Sequence, residues 1–437
     1  MLFQPLRPPE PTRRGVLAGA LTLGVALAVG PRMARAAATA PSAPSAPVAP
    51  NAFVSIAPDD TVTVTIKHLD MGQGVTTGLA TLVADELDAD WGQMRFAFAP
   101  ADATLYANLA WGPVQGTGGS TATANSWRQL RQAGAAMRAM LVSAAAAEWG
   151  VPEGEITVER GRVRHEGSGR ESGFGALAAA AAALPVPEAP RLKTPAEWIY
   201  IGKEGVPRLD SPSKTDGTAT YSLDVRLPGM LTAVVAHPPL FGARVASFDD
   251  AAARAVPGVV DVVEIPTGVA VVARDTWSAL RGREALAVTW DESRAETRST
   301  EALVAEARAR AERPGMVAAR AGDAAGALAA AATVIEAEHV FPYLAHAPME
   351  PMNGVIARRE DGSYEAWGGF QIQTIDQASI ASILGVAPNR VRLNTLFAGG
   401  SFGRRGVRGA DWASEMAHIL KATGVEAPIH LVWTRED

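Results

Sequence analysis

The chain has 437 residues, and its 46 acidic and 40 basic side chains give a formal net charge of −6. This charge argues against a nucleic-acid-binding protein, since arginine is concentrated only near the N-terminus. The absence of cysteine excludes disulfides, thiolate catalysis, thiolate zinc sites and cysteine-ligated iron–sulfur clusters within this sequence. No His-Glu-x-x-His motif is found either, so we assign no metal-ligating residue, and any redox metal has to arrive on an organic cofactor.

The N-terminus has the pattern of an export signal. Arg13 and Arg14 precede an apolar run at 16–29, and residues 34–36 form a small–x–small cleavage pattern. The run is shorter than the roughly 20 residues that a transmembrane helix needs. We therefore expect residues 1–36 to be a twin-arginine signal peptide, in preference to an ordinary secretory signal or an uncleaved anchor. This predicts a periplasmic protein that is exported already folded, with its cofactor inserted.

The first glycine-rich turn is Met71-Gly72-Gln73-Gly74, between an alternating strand pattern at 62–66 and a helical pattern at 76–87. Glycine allows positive φ and a close approach to a ligand, and the amides that begin the next helix point outward as anion donors. Without any ligand, the glycines close a tight turn and Gln73 caps the helix.

A polar loop at 115–121 repeats this arrangement. It follows a strand predicted at 94–99 and opens a long helix predicted at 126–149. Its Ser120 and Thr121 are candidates for a further wall of the same site, or for helix N-caps that need no ligand. We expect these elements to belong to a first block at 52–185, tethered by a flexible linker at 37–51 that is rich in alanine, proline and serine.

A second block at 197–292 alternates short strands with one helix. The strands are predicted at 230–236, 259–264 and 269–273, and the helix at 249–256, where Pro257-Gly258 ends it.

The third block, from about residue 330, contains the second glycine-rich turn, Gly399-Gly400-Ser401-Phe402-Gly403. Strands are predicted at 333–341, 354–358, 364–367 and 391–393, and helices at 373–384 and 410–422. Two such turns in one chain predict a site for a large, polar, phosphate-bearing cofactor.

The strongly apolar strand predicted at 429–433 lies four residues from the end of the sequence. A buried strand needs neighbours on both sides, so we expect the region at 330–437 to be the truncated start of a larger domain.

In their order, these motifs resemble the molybdenum cofactor-binding subunit of the xanthine dehydrogenase and aldehyde oxidase family, in its isoquinoline 1-oxidoreductase β-subunit branch. The matching motifs extend over most of the chain: Met71-Gly72-Gln73-Gly74, Ala84-Asp85-Glu86-Leu87, Thr117-Gly118-Gly119-Ser120-Thr121, Leu130-Arg131-Gln132-Ala133-Gly134-Ala135, Ser213-Lys214-Thr215-Asp216-Gly217, His346-Ala347-Pro348-Met349-Glu350-Pro351, the run 371–386, and Ala398-Gly399-Gly400-Ser401-Phe402-Gly403-Arg404-Arg405.

The resemblance implies an α+β fold, with a split molybdopterin-binding domain and an inserted α/β hammerhead domain at 197–292. It implies a molybdopterin cofactor, expected as the cytosine dinucleotide, whose dithiolene holds the molybdenum. The implied reaction hydroxylates an aldehyde or an N-heterocycle with oxygen from water. Electrons then pass to a small 2Fe–2S subunit, with a cytochrome c as a further candidate acceptor.

The resemblance also assigns cofactor-binding residues. Gln73 would hydrogen-bond the cofactor near the metal, with Gly72 and Gly74 allowing its approach. The loop amides of Gly400, Ser401, Phe402 and Gly403, with Gly399 before them, would lie beside the molybdenum, and Gln371 near that loop. No residue matches the glutamate that serves as the family's base, so no catalytic residue is assigned.

Other residues of these motifs have structural alternatives. Glu350 is expected to form a turn and not to act as a base. Phe402 is alternatively a core residue, and His346 a satisfied interior histidine. Arg404 and Arg405 either form a solvated face or contact phosphate.

Two other classes of function are left open. A nicotinamide-dependent dehydrogenase fits the loose dinucleotide pattern at 72–78, but no acidic residue ends a second strand about 20 residues later, and repeated βαβ units do not follow. An exported, non-catalytic binding protein fits a chain without a matching base.

Overall fold

The computed structural model describes residues 51–437. The expected signal peptide at 1–36 and the expected linker up to residue 50 lie outside the described residues. Helices and sheets are mixed in the part that is described, which confirms the expected α+β class. None of the helices within 51–437 combines the length and the hydrophobicity needed to cross a bilayer.

The N-terminal block starts with β1 (Val54–Ile56), β2 (Val62–Ile66), α1 (Val75–Leu87), β3 (Met94–Phe98), α2 (Ala103–Tyr106) and α3 (Ala122–Trp149). The three strands form one sheet in which β2 is antiparallel to β1 and parallel to β3. Every second residue of β2 is buried, as expected for a strand with one face on a core. The long helix α3 begins four residues earlier than predicted, directly after the polar loop.

The helices α1 and α3 pack closely against each other. A Cβ atom at Gly134 would lie 2.8 Å from the carbonyl oxygen of Val83, so only glycine allows this approach. Arg131 and Glu86 form a buried salt bridge at 2.6 Å across the same interface. The two helices that follow the glycine loops of this block therefore share one rigid contact.

A small antiparallel sheet completes the block, with strands β4 (Ile156–Glu159), β5 (Arg162–His165) and β6 (Arg170–Gly173), followed by α4 (Phe174–Ala182) and the short α5 (Ser211–Asp216).

The rest of the chain forms a seven-stranded mixed sheet in the order β14-β13-β12-β15-β7-β10-β9. Its strands are β7 (Leu231–Ala236), β9 (Val259–Ile265), β10 (Gly268–Ala273), β12 (Asn353–Arg358), β13 (Tyr364–Gly368), β14 (Val391–Thr395) and β15 (Ile429–Val432). A separate two-stranded ribbon pairs β8 (Arg244–Asp249) with β11 (Ala287–Asp291), and the helices are α6 (Ala251–Arg254), α7 (Thr276–Ala285), α8 (Thr300–Ala311), α9 (Ala324–Ala329), α10 (Gln373–Leu384) and α11 (Asp411–Thr423).

Strand β15 joins the second and third blocks in this sheet. It pairs antiparallel with β12 and parallel with β7, where Ile429 lies opposite Leu231. The strand therefore has a neighbour on each side within residues 51–437. Its two partner strands come from different blocks, so the sequence pattern within one block could not predict this pairing.

Strand β10 is buried on both faces. Val271 packs into one core with Val234 and Ala279, while Val272 faces a second core that contains Trp412 of α11. Both faces are covered because α7 lies on one side and α11 on the other.

Two predicted elements differ from the structure. The helix predicted at 249–256 is shorter, since Asp249 ends β8 and the helix covers only Ala251–Arg254. The strand predicted at 333–341 does not form, and its residues are exposed, with Ile335 89% and Phe341 85% accessible. Its apolar residues favour a strand, but no neighbouring strand in 51–437 pairs with it, and an unpaired strand is not stable.

Candidate functional site

Three loops that the sequence places far apart meet in the fold. We call them loop 1 (70–74), loop 2 (115–121) and loop 3 (399–403). The backbone N–H of Leu69, just before loop 1, donates to Thr117 Oγ1 of loop 2 at 2.8 Å. The N–H of Ala398, just before loop 3, donates to the carbonyl oxygen of Asp70 at 3.1 Å.

Gln371 connects loop 2 to loop 3. Its side-chain Nε2 donates to the carbonyl oxygen of Thr117 at 2.7 Å, and its Oε1 accepts from Ser401 Oγ at 2.5 Å. Its own carbonyl oxygen accepts from the N–H of Thr117 at 2.9 Å. Because both ends of the buried amide are used, Gln371 fixes the spacing of the two loops.

Loop 1 is a turn with two left-handed glycines, Gly72 at φ 108° and Gly74 at φ 82°. A Cβ atom at Gly72 would meet nothing within 4 Å, so space is open above it. Gln73 Oε1 accepts from the N–H of Met71 at 2.8 Å, and its Nε2 donates to the carbonyl oxygen of Leu69 at 2.8 Å. The alternative that Gln73 caps α1 is therefore wrong, since its amide closes the turn.

Asp70 is fully buried and stabilises the same turn through its side chain. Its carboxylate accepts from the N–H of Gly72 at 2.9 Å and from the hydroxyl of Thr76 at 3.2 Å. Lys214 pairs with it at 3.3 Å and also binds Asp210.

Loop 2 ends in left-handed backbone at Gly119 and at Ser120, where φ is 61° and 54°. Thr121 occupies the N-cap position of α3 but gives no capping hydrogen bond. Its hydroxyl donates instead to the carbonyl oxygen of Gly118 at 2.8 Å and accepts from Asn108 at 2.7 Å. The N-cap alternative is wrong for the side chain of Thr121, so that hydroxyl leaves the first amides of α3 uncapped. Ser120 is exposed.

Loop 3 has left-handed backbone at Gly400, Phe402 and Gly403, with φ of 91°, 55° and 99°. Among residues 51–437, no acceptor takes the N–H groups of Gly400, Ser401, Phe402 or Gly403. Consecutive free amides in a turn can form a concave donor array for anions. Phe402 is 73% exposed, so the alternative that it is a core residue is wrong.

A buried ion pair lies beneath loop 3. Arg405 and Glu350 are 3.0 Å apart, and Arg405 is completely inaccessible to solvent. Both alternatives for Arg405, a solvated face or a phosphate contact, are therefore wrong. Glu350 also accepts from Asn353 at 3.1 Å, which agrees with a structural role for its carboxylate.

His346 and Arg404 lie near the surface around loop 3. His346 is exposed, so the alternative of a satisfied interior histidine is wrong, and its Nε2 would lie 3.9 Å from a Cβ atom at Gly403. Arg404 pairs with Asp411 at 2.9 Å and lies over the ring of Trp433.

Two buried basic residues that the sequence motifs did not indicate, Lys67 and His68, lie beside loops 1 and 2. His68 Nδ1 hydrogen-bonds to the carbonyl oxygen of Gly116 at 3.0 Å, and burial, together with the neighbouring Lys67, lowers the pKa of His68 to about 3. Burial also lowers the pKa of Lys67 to about 7. Their position in the sequence, directly after the predicted strand β2 and before loop 1, could have indicated a functional role. Ionisable groups with perturbed pKa values are common at functional sites.

The structure thus brings together the loops that carry the residues proposed for cofactor binding: Gly72, Gln73 and Gly74 in loop 1, Ser120 and Thr121 in loop 2, and loop 3, with Gln371 between loops 2 and 3. Residues 51–437 contain no group of three or more His, Asp or Glu side chains placed to hold a metal ion. The site fits a large anionic cofactor, because it offers open space above Gly72 and four free amides in loop 3. Binding by these individual residues stays a prediction.

Two family models, each described as a molybdopterin cofactor-binding domain, match residues 9–226 and 309–437. The chain is 36% identical over 470 residues to the isoquinoline 1-oxidoreductase subunit beta of Brevundimonas diminuta, covering 98% of this chain. It is 33% identical over 406 residues to the membrane-bound aldehyde dehydrogenase (pyrroloquinoline-quinone) of Gluconacetobacter polyoxogenes, covering 88% of this chain. The chain spans 59% and 50% of the lengths of these two relatives.

Among solved structures, the quinoline 2-oxidoreductase of Pseudomonas putida 86 aligns with a TM-score of 0.42 and 20% identity, over 52% of this chain and 34% of that chain. The two family matches leave residues 227–308 between them, and this stretch contains β7 to β11. A cofactor-binding domain split by an inserted α/β region is the fold that the sequence predicted. The chain belongs to the molybdopterin cofactor-binding family that includes the β-subunit of isoquinoline 1-oxidoreductase.

Proposed function

We propose that the three loops hold the molybdopterin cofactor, and that the protein is the cofactor-binding subunit of a molybdenum hydroxylase. The observation that carries this proposal is the junction at Gln371, which fixes loop 2 against loop 3 while four loop 3 amides stay free. When bound, the cofactor supplies a molybdenum centre that takes two electrons from the substrate.

The loop residues have separate tasks in this proposal. The N–H groups of Gly400, Ser401, Phe402 and Gly403 donate to anionic oxygens of the cofactor. Gln73 and the open Gly72 of loop 1 line another side, and the uncapped start of α3 after Ser120 and Thr121 receives a phosphate group. A cofactor with a second phosphate, such as the cytosine dinucleotide, would use two of these positions at once.

We propose an aldehyde or an N-heterocycle as the substrate, hydroxylated with oxygen from water. The names of the relatives support both classes, since one is an isoquinoline oxidoreductase and the other an aldehyde dehydrogenase. A small 2Fe–2S subunit would receive the electrons, because this sequence has no cysteine for such a cluster. A cytochrome c is a candidate for the next acceptor.

Metal and cofactor analysis of the purified protein tests the proposal. We expect close to one molybdenum and one pterin for each chain, measured by elemental analysis and by pterin fluorescence after oxidation. Bound nicotinamide or pyrroloquinoline quinone without molybdenum would contradict it in favour of another redox cofactor. Neither metal nor cofactor would support the alternative of an exported binding protein.

We infer further that the protein is exported to the periplasm by the twin-arginine route. Support comes from Arg13 and Arg14 before the apolar run at 16–29. This route accepts folded proteins, which suits a chain that has to enclose its cofactor before export.

A further inference from the structure

Glu350 holds the first residue of loop 3 through both its backbone and its side chain. The N–H of Glu350 donates to the carbonyl oxygen of Gly399 at 3.0 Å, and the N–H of Gly399 donates to Glu350 Oε2 at 2.8 Å. A Cβ atom at Gly399 would lie 2.5 Å from the Cβ atom of Glu350, so the two backbones are in direct contact.

Arg405 holds the next residues of the same loop from beneath. Its Nε donates to the carbonyl oxygen of Gly400 at 2.9 Å, and its backbone N–H donates to Ser401 Oγ at 3.1 Å. Its NH2 group donates to the carbonyl oxygen of Glu350 at 2.9 Å and to the carboxylate of Glu350 at 3.0 Å. The planar guanidinium therefore ties both partners of the ion pair to the loop.

These contacts use the N–H and carbonyl oxygen of Gly399, the carbonyl oxygen of Gly400 and the hydroxyl of Ser401, and the remaining N–H groups of the loop have no acceptor among residues 51–437. Those N–H groups, on Gly400, Ser401, Phe402 and Gly403, are the four free amides of the site. A donor array is effective only if it is held in place before the anion arrives, because reorganisation then costs nothing on binding.

We propose that the buried Glu350–Arg405 pair is a positioning device that holds the loop 3 amides in their cofactor-binding arrangement. Neither residue touches the cofactor in this proposal, which rests on the proposed function of the site. A buried ion pair by itself adds little stability over an apolar replacement. The positioning role would explain why such a pair lies beneath loop 3.

The test compares the rates at which purified holoproteins lose molybdenum and pterin during incubation and gel filtration. Glu350→Gln keeps the shape and an acceptor oxygen but removes the charge that Arg405 needs. We expect it to lose both components about tenfold faster than the wild type, as a weakened charged hydrogen bond implies. Arg405→Lys keeps the charge without the planar fork, so we expect an intermediate rate.

The matched control is Glu86→Gln, which breaks the equally buried pair with Arg131 between α1 and α3. Thermal midpoints are measured for all variants. We expect Glu86→Gln to lower the midpoint as Glu350→Gln does, while it retains the cofactor at the wild-type rate. Equal retention in Glu350→Gln and the wild type would overturn the inference, and so would equal cofactor loss in Glu350→Gln and Glu86→Gln at matched midpoints.

If the single variants do not fold, the double variant Glu350→Gln/Arg405→Met carries the same test, because it leaves no unpaired charge buried. Fast cofactor loss from the folded double variant supports the inference, and wild-type retention overturns it. A wild-type protein that contains neither molybdenum nor pterin would instead refute the proposed function, on which the inference depends.

Discussion

Gln73 shapes loop 1 through both atoms of its amide, although its side chain is exposed. The two hydrogen bonds, to Met71 and Leu69, hold the turn that presents Gly72 and Gly74. The turn-closing role therefore falls on the same amide for which we propose a cofactor-binding role, so removal of the amide tests both.

We predict that Gln73→Ala lowers molybdenum occupancy or turnover by at least about tenfold, since the lost hydrogen bonds are worth roughly 1–3 kcal/mol. Gly403→Val should lower them further, because a β-branched residue is strained at the φ of 99° that Gly403 adopts. Molybdenum per chain and substrate turnover are the measurements.

Gly385→Val is the control for backbone strain. Gly385 ends α10 at φ 73°, with open space around its Cβ position and no part in the three loops. We expect this variant to lose stability while it keeps its molybdenum. Wild-type occupancy and turnover in both Gln73→Ala and Gly403→Val would mean that loops 1 and 3 are only turns.

At the scale of elements, a histidine at the end of β7 links the second block to the end of the chain. His237 Nε2 hydrogen-bonds to Glu415 of α11 at 2.8 Å, and its Nδ1 to Asp437 after β15 at 3.2 Å. Arg283 of α7 pairs with Asp437 at 3.1 Å. Burial lowers the pKa of His237, but hydrogen bonds to Asp437 and Glu415 outweigh it and raise the pKa to about 9.

This raised pKa predicts a pH-dependent stability. The stabilisation from protonated His237 is complete below the unfolded-state pKa of about 6.5 and is lost as the pH rises to about 9. Over this window the titration of His237 lowers the free energy of unfolding by up to about 3 kcal/mol, whereas the lowered pKa of Lys67 makes an opposing contribution. We therefore expect the free energy of unfolding of His237→Gln to rise with pH relative to that of the wild type. Urea unfolding at several pH values measures it.

His418→Gln, on the helix α11 that also carries Glu415, is the control. Burial lowers the pKa of His418, so its titration lies below this window and its replacement should leave the slope unchanged. If the free energy of unfolding of His237→Gln changed with pH as that of the wild type does, then His237, Glu415 and Asp437 would not form the charged cluster in solution.

At the scale of the whole molecule, the seven-stranded sheet makes one body of the second and third blocks. Strand β15 lies between β12 and β7, and the fully buried Leu431 packs in the core that Trp412 shares with Val272. Loop 3 lies between β14 and α11 of this body, while loops 1 and 2 belong to the N-terminal block. The site is formed at the junction of these two parts.

Export is a property of the whole chain and can be tested on it. We predict that replacing Arg13 and Arg14 by lysines leaves the protein in the cytoplasm, because the twin-arginine pathway reads this pair. Immunoblots of periplasmic and cytoplasmic fractions measure the distribution. An unchanged periplasmic yield would contradict the signal assignment, and a substitution at Arg7, outside the pair, controls for loss of charge.

Local patterns determined much of the fold from the sequence alone. The helices at α1, α10 and α11 and the strands β2, β3, β7, β9, β10, β12, β13 and β14 follow the predicted ranges closely. Glycine patterns located all three loops, because positive φ and helix starts are encoded within a few residues. The order of the motifs also identified the family.

Tertiary structure decided what depends on partners distant in sequence. The apolar residues at 333–341 favour a strand but find no neighbour in residues 51–437, whereas β15 finds two in separate blocks. Likewise, a pair of adjacent arginines does not reveal that Arg405 is buried against Glu350, 55 residues away, while Arg404 lies nearer the surface. Strand pairing and ion-pair burial are set by long-range packing, so short-range periodicity cannot determine them.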